Sequence, residues 1–389
     1  MFLVSDIEDA VHTGLIEDVI SVRHLAIVMP DLRAGGAERV AVNLANSFTQ
    51  RGYAVDMILL MSSGAFLADL LPEVRVVNLQ TKRIRGALLP LLRYLIDARP
   101  TALIACMWPL TICALLASRL ARVSTRVVVA EFTTWSRDEI ASSSWGRFMV
   151  GTSMRYVFPS AYAIVTVSNG AANDLAHFAN LERRAITVVY TPVVGDERPP
   201  FNTPFAPEGW WSGPHRRVLA VGTLKLIKDY SMLLIAFAKL CKVVNARLLI
   251  VGSGELRFAL EAQARQLGIA DTVFMAGFVE DPTPYYQHAD LHVLSSTGEG
   301  LPTVIIEALA SGTPVVSTDC PSGPREILSD GKFGRLVPVG DAAAFAKAME
   351  ESLAETHDRV ALKARAQDFS IDKAVDQFEI LLFRNHVWG

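Results

Sequence analysis

The segment SSTGEGLPTVIIEALASGTPVVSTDCPSGPREIL sets two carboxylates, Glu299 and Glu307, eight residues apart around one helix start. Pro302 suits a first helical turn, so Glu299 falls in the loop after the apolar run LHVLSS, and Glu307 falls inside the helix. The backbone from Gly300 through Leu301 and Pro302 to Thr303 is the start of that helix. Helix starts carry unpaired N–H groups and the positive end of the dipole, which favours a nearby anion by about 0.3–1 kcal/mol, and by up to about 2 kcal/mol when partly buried. A phosphate is suited to this place. Glu307 interrupts the otherwise apolar TVIIEALA, and burying its charge is costly unless it accepts hydrogen bonds. The vicinal hydroxyls of a ribose would donate them; the alternative is a Glu307 turned to solvent.

Two further loops have the residue types for anion binding. AVGTLKLIKDYSMLLIAF puts Lys225 and Lys228 between a strand and a helix, where two ammonium groups could clamp a diphosphate or be ordinary solvated lysines. PDLRAGGAERV has Gly35 and Gly36 after the strand HLAIVM and Glu38 in the helix that follows, so the backbone there can approach a ligand closely or form a tight structural turn. Neither AGGAER nor VGSGEL, with Gly252 and Gly254, completes the G-x-G-x-x-G spacing of a dinucleotide oxidoreductase.

These loops need a scaffold, and the pattern around them is of one kind. Strand-like apolar runs alternate with helical patterns, which predicts an α/β chain with parallel sheets covered by helices. GDERPPFNTPFAPEGWWSGPH breaks the alternation and reads as a linker. The expected organisation is an extension at 1–22, a Rossmann-like domain at 23–195, a linker at 196–215, a second Rossmann-like domain at 216–372, and a tract at 373–389 packing back on the first. Ligands of such sheets bind beyond the carboxyl ends of the strands, so the site is expected in a cleft between the two domains. At 389 residues the chain is long enough for two full cores.

Composition excludes several classes. With 51% hydrophobic and 20% charged residues the chain is globular, and a net charge of -3 supplies no field to hold a nucleic acid. Cys106, Cys113, Cys241 and Cys320 are scattered without metal-ligand spacing, so no metal is expected and the cytoplasm is the default location. The uncharged stretch from Pro100 to Ser118 is long enough for a membrane span, but Pro109 divides it into a strand and a helix of a buried layer. The stretch 81–95, TKRIRGALLPLLRYL, flanks leucines with Lys82, Arg83, Arg85 and Arg93, as an interfacial helix would, or as an ordinary amphipathic helix with solvated arginines would.

AGGAERV, GTLKLIKD, IVGSGEL, AGFVEDP, EGLPTVIIEALASGTPVV and SGPREIL together resemble glycosyltransferase family 4, the retaining enzymes of the GT-B fold, from about His24 onward. SGPREIL looks most like members that build bacterial capsule, exopolysaccharide or lipopolysaccharide. The resemblance implies two Rossmann-like domains facing across a cleft, a nucleotide diphosphate sugar as co-substrate, no metal and no other cofactor. It implies that Glu307 holds the ribose, that Glu299 contacts the transferred sugar, and that Gly300, Leu301, Pro302 and Thr303 present backbone N–H groups to sugar and phosphate. Phe278 and Val279 would meet the base through their main chain, Lys228 the phosphates, and Gly35 and Gly36 would close over the diphosphate. A glycan or lipid-linked acceptor would enter from the N-terminal domain, at the inner face of the cytoplasmic membrane.

Two positions depart from the family pattern. Thr223 stands where an arginine is usual, with Lys225 nearby as a point charge, and Phe132 stands where many relatives have histidine. Both remove side-chain donors, which leaves room for a nucleotide-sugar-binding protein without turnover. A GT-B epimerase is the other rival, and the Glu299–Glu307 spacing speaks against it. The sequence discloses neither the sugar and base of the donor nor the oligomeric state.

Overall fold

The computed structural model describes residues 23–33, 35–137, 140–195 and 209–383. The extension at 1–22, most of the linker and the last six residues of the chain lie outside the described residues. By its internal contacts the chain divides into Met1–Ala130 with Ser160–Tyr162 and Leu382–Gly389, and Glu131–Pro159 with Ala163–Leu381.

The strands are β1 (His24–Met29), β2 (Ala54–Leu59), β3 (Arg75–Asn78), β4 (Ala102–Cys106), β5 (Arg126–Glu131), β6 (Ala163–Thr166) and β7 (Ile186–Val188) in one sheet. Those of the other are β8 (Arg216–Val221), β9 (Ala246–Val251), β10 (Val273–Gly277), β11 (Leu291–Leu294), β12 (Val315–Thr318) and β13 (Arg335–Val337). The first sheet runs β3-β2-β1-β4-β5-β6-β7 and the second β10-β9-β8-β11-β12-β13. All five pairings of the second sheet are parallel. Both orders are the doubly wound arrangement in which the chain starts in the middle, winds to one edge, then returns and winds to the other. The expected α/β architecture with two parallel, Rossmann-like sheets is therefore present.

The apolar runs take central places for a physical reason. A parallel strand covered on both faces must be apolar at successive positions, and β4 is buried throughout its ALIAC sequence. Residues 100–118 thus divide between β4 and the helix Leu110–Ala121. Among the described residues no helix is long and apolar enough to cross a membrane. In the stretch 81–95, the helix Leu88–Ala98 buries Leu91, Tyr94 and Leu95. Its outer side still exposes Leu89 and Ile96. At the end of the linker reading, Trp210 and Trp211 are ordered contacts: Trp210 lies 5.5 Å from the Phe274 ring, and Trp211 6.2 Å from Tyr285.

One polar network ties the start of the first sheet together. Asp56 on β2 is 3% exposed and accepts hydrogen bonds from Arg75 Nε (2.7 Å), His24 Nε2 (2.9 Å) and the Tyr94 hydroxyl (2.5 Å). Burial opposes its ionisation, but the bonds from Arg75, His24 and Tyr94 outweigh that and hold the carboxyl well below its ordinary range. Hydrogen bonds to a charged group contribute about 1.5–3 kcal/mol, so Asp56→Asn should destabilise the chain by about 2 kcal/mol at neutral pH. A depressed carboxyl stabilises fully above its unfolded value of about 3.9, and loses that contribution as pH falls toward the native value. The gap between wild type and variant in urea melts should therefore narrow below about pH 4; a gap that widened with acid would contradict the assignment.

Candidate active site

The second sheet reverses its winding between β8 and β11, which lie side by side while the chain leaves them toward opposite edges. The crevice outside the carboxyl ends of two such strands is where open α/β sheets bind ligands. Residues 222–229 leave β8 at this point, and residues 295–302 leave β11.

The two loops are stitched together. Thr297 N donates to Ile227 O at 2.8 Å, and the Ser295 hydroxyl donates to Lys228 O at 2.7 Å. Lys228 Nζ then reaches Glu299 Oε1 at 2.6 Å, with the two side chains 18% and 12% exposed. The Ser296 hydroxyl donates to the same oxygen at 2.6 Å, and the Thr134 hydroxyl donates to Glu299 O at 2.5 Å. Lys228 and Glu299, 71 residues apart in the sequence, are thus brought together. Burial, followed by the charge of Glu299, pushes the Cys320 thiol up to about 12, so it stays protonated and is a poor nucleophile at neutral pH.

Glu307 lies in the helix Thr303–Ala310 and is partly buried rather than turned fully to solvent. The hydroxyl of Tyr286, which is fully buried, donates to Glu307 Oε2 at 2.9 Å. Burial and the neighbouring carboxylate keep that phenol well above its usual titration range, so it remains a donor at neutral pH. Behind Tyr286, burial pushes His292 down to about 3, which leaves its ring neutral.

Other expected residues take more varied places. Gly300 is held against Phe132, whose backbone oxygen lies 2.3 Å from where a Cβ on Gly300 would stand. Leu301 and Pro302 are buried and Thr303 is partly buried. Pro302 has no amide hydrogen, so the N–H donors of this start are those of Gly300, Leu301 and Thr303. Lys225 and Thr223 are exposed, and no side-chain hydrogen bond or ion pair of Lys225 is formed among the described residues. Phe278 is exposed at the end of β10, and Val279 packs on the core. In the first unit, Gly35 caps the helix Gly36–Gln50, and the Glu38 carboxylate lies over it, 2.3 Å from the position of a Gly35 Cβ. Burial raises the Glu38 carboxyl above its ordinary value. A diphosphate at this helix start would have to move Glu38 aside.

Gly252 proves to be structural. It has φ +144° and donates its N–H to Gly277 O at 2.7 Å, and a Cβ there would lie 1.9 Å from Gly222 O. Sequence reasoning missed Thr134, Ser168, Ser296, Tyr286 and Ser322. Ser296 could have been read from its place three residues before Glu299 on the same loop. The others reach the site only through tertiary contacts.

The model of the glycosyl transferases group 1 matches residues 211–369, and that of Glycosyltransferase Family 4 matches residues 34–196. The two matches together support a family 4-like glycosyltransferase of the GT-B fold. The chain is 36% identical over 170 residues to the lipopolysaccharide core biosynthesis glycosyltransferase LpsE of Rhizobium meliloti, a match covering 42% of the chain and 49% of that relative. The chain therefore spans about half the length of that relative. A longer match, 27% identical over 369 residues and covering 91% of the chain and 96% of the relative, is to a Campylobacter jejuni GalNAc-alpha-(1->4)-GalNAc-alpha-(1->3)-diNAcBac-PP-undecaprenol alpha-1,4-N-acetyl-D-galactosaminyltransferase. Among solved structures, Anabaena Alr3699/HepE in complex with UDP and glucose superposes with a TM-score of 0.73 at 19% identity, over 92% of this chain and 98% of that one. That likeness shows the GT-B fold.

Proposed function

We propose that this chain transfers a glycosyl group from a nucleotide diphosphate sugar, in particular a UDP-sugar, to a hydroxyl acceptor with retention of anomeric configuration, in polysaccharide or glycolipid assembly. The observation that carries the reading is the Lys228–Glu299 pair at the β8–β11 reversal, next to a helix start with amide donors. As the glycosidic bond to the diphosphate breaks, negative charge grows on the leaving group. Lys228 and the amides of Gly300, Leu301 and Thr303 would meet it as preorganised donors, without a metal ion. Glu299 would then turn from Lys228 to the sugar hydroxyls, and Glu307 would accept from the ribose. Support for UDP comes from the HepE complex, and support for a lipid-linked acceptor from the undecaprenol-linked substrate named for the Campylobacter relative.

The test is incubation with a panel of UDP- and GDP-sugars in the presence of EDTA, with nucleoside diphosphate release and the product anomer followed by NMR. Release with an α-donor giving an α-product supports the reading; an inverted product, or turnover restored only by added metal, would overturn those parts of it. The exposed Thr223 and the Phe132 side chain, both lacking the donors usual in the family, favour one second reading, a nucleotide-sugar-binding protein without turnover. A donor-induced thermal shift with no nucleotide release would select that reading.

Two contacts carry further expectations. Loss of a carboxylate that accepts from a ribose removes about 1.5–3 kcal/mol, so Glu307→Ala should weaken nucleoside diphosphate binding about 10- to 100-fold. Tyr286→Phe should weaken it less, and equal calorimetric affinities in Glu307→Ala and wild type would exclude the ribose role. We also propose peripheral contact of the first unit with the inner face of the cytoplasmic membrane through 81–95. The helices Leu88–Ala98 and Leu110–Ala121 pack on each other and expose Leu89, Ile96, Leu116 and Leu120. Lys82, Arg83, Arg85, Arg93 and Arg119 are exposed on the same segments, matching an anionic lipid surface. Co-sedimentation with vesicles containing phosphatidylglycerol but not with neutral ones is expected; no bound fraction on either would refute the contact.

A further inference from the structure

The peptide units at Glu299 and Gly300 are gripped by hydroxyls from three separate parts of the chain. Besides the Thr134 bond to Glu299 O, the hydroxyls of Ser168 and Ser322 lie 2.9 and 2.7 Å from Gly300 O, and 2.7 Å from each other. Ser168 caps the helix Asn169–Ala179 and accepts from Ala171 N, so its own proton is left for Gly300 O or for Ser322 Oγ. Either hydroxyl alone still reaches the carbonyl.

The surroundings keep both hydroxyls in place. Glu326 accepts from Asn169 N at 3.0 Å, from Asn169 Nδ2 at 2.6 Å and from the Tyr190 hydroxyl at 2.7 Å, which ties the helix start behind Ser168 to the SGPRE segment that holds Ser322. Contact is close enough that a Cβ on Gly170 would stand 2.7 Å from Ser322 Cα, and one on Gly323 2.3 Å from Pro302 Cδ.

A trans peptide is planar, with its C=O and N–H pointing in opposite directions. Holding Gly300 C=O therefore sets the direction of the Leu301 N–H, and holding Glu299 C=O sets that of the Gly300 N–H. We infer that Ser168 and Ser322 are a redundant pair of positioning residues that aim the Leu301 amide into the donor site. The inference rests on the reading of residues 299–303 as the donor loop. It adds that a segment near residue 168 and one near residue 322, neither of which supplies a ligand contact in that reading, set the loop's geometry together. Redundancy gives it a signature: two groups sharing one acceptor are non-additive when removed.

The experiment is a double-mutant cycle of Ser168→Ala and Ser322→Ala. It reads nucleotide release at saturating UDP-sugar, calorimetric affinity for UDP, and hydrogen exchange of peptides spanning 299–307. Each single variant should lower kcat by about 3-fold or less and the double by about 30-fold, more than the product of the two, with affinity for UDP changed by less than about 3-fold. Exchange at 299–303 should rise clearly only in the double variant. Ser168→Ala also removes a helix cap, but that loss is common to the single and double variants and cancels in the cycle. A double variant equal to the product of the singles, or with unchanged exchange, overturns the inference. If wild type neither binds UDP nor turns over, the donor-site reading fails, and the exchange data alone then decide whether the pair positions the loop.

Discussion

Lys228→Ala is expected to reduce kcat for nucleotide release by about 100- to 1,000-fold, because removing one preorganised donor to a developing anion costs about 2.7–4 kcal/mol. The residue is suited to an effect of this size. Its side chain is only 18% exposed, so solvent screens it little, and the backbone around it is fixed by Ser295 and Thr297. The substitution also leaves the Glu299 carboxylate with the Ser296 hydroxyl in place of a counter-ion, which moves Glu299 as well as removing a charge. Lys228→Arg separates the two consequences: it restores charge but not the compact point donor, and recovery should be partial. Lys225→Ala is the matching control, since Lys225 is exposed and lies outside the Glu299 pair. A loss at Lys228 no greater than at Lys225, measured by stopped assays at saturating donor, would refute the role of the pair.

Gly252→Ala is expected to lower stability by about 3 kcal/mol or more, since it adds backbone strain of about 1–3 kcal/mol to an overpacking cost of similar size. The added Cβ would meet Gly222 O at 1.9 Å, and since a Cβ is fixed by its own backbone and its partner is a backbone oxygen, no side chain can rotate out of the way. Gly252 follows β9 and Gly222 follows β8, and the β8 loop runs on to Lys228. The strain should therefore reach function: the Tm should fall by about 6–12 °C, and UDP affinity should weaken along with it. Gly268→Ala is the comparison, because Gly268 also has a positive φ, +70°, but no atom within 4 Å of where its Cβ would stand. Equal melting temperatures for the two variants by calorimetry would mean that the contact with Gly222 is not the reason for glycine at 252.

Much of this was legible in the amino-acid order, and for identifiable reasons. Parallel strands buried on both faces must be apolar at consecutive positions, so β1, β4 and β9 announce themselves by short apolar runs. The Pro109 break correctly divided the long uncharged stretch into β4 and a helix. Glu299 and Glu307 were readable because both stand on one continuous segment, and a helix start next to a strand end is a local pattern. The leucines of 81–95 were ambiguous because helical periodicity does not say which neighbour covers the apolar side; Leu91 and Leu95 are buried while Leu89 stays exposed. Whether the loop lysines clamp an anion or stand in solvent was open from the local pattern, and only the fold leaves Lys225 exposed and directs Lys228 at Glu299.

Residue types and their order alone determined the α/β class, the candidate carboxylates and lysines, and the family, because those follow from local periodicity and contiguous motifs. Tertiary structure decided which groups share one place: Thr134, Ser168 and Ser322 around the Glu299–Gly300 peptides, Tyr286 on Glu307, and Gly222 against Gly252. Each of those contacts joins segments that lie apart along the chain, where hydrogen-bond geometry over 2.5–2.9 Å, or for the two glycines the close approach of their backbones, and not spacing in the sequence, determines the partner.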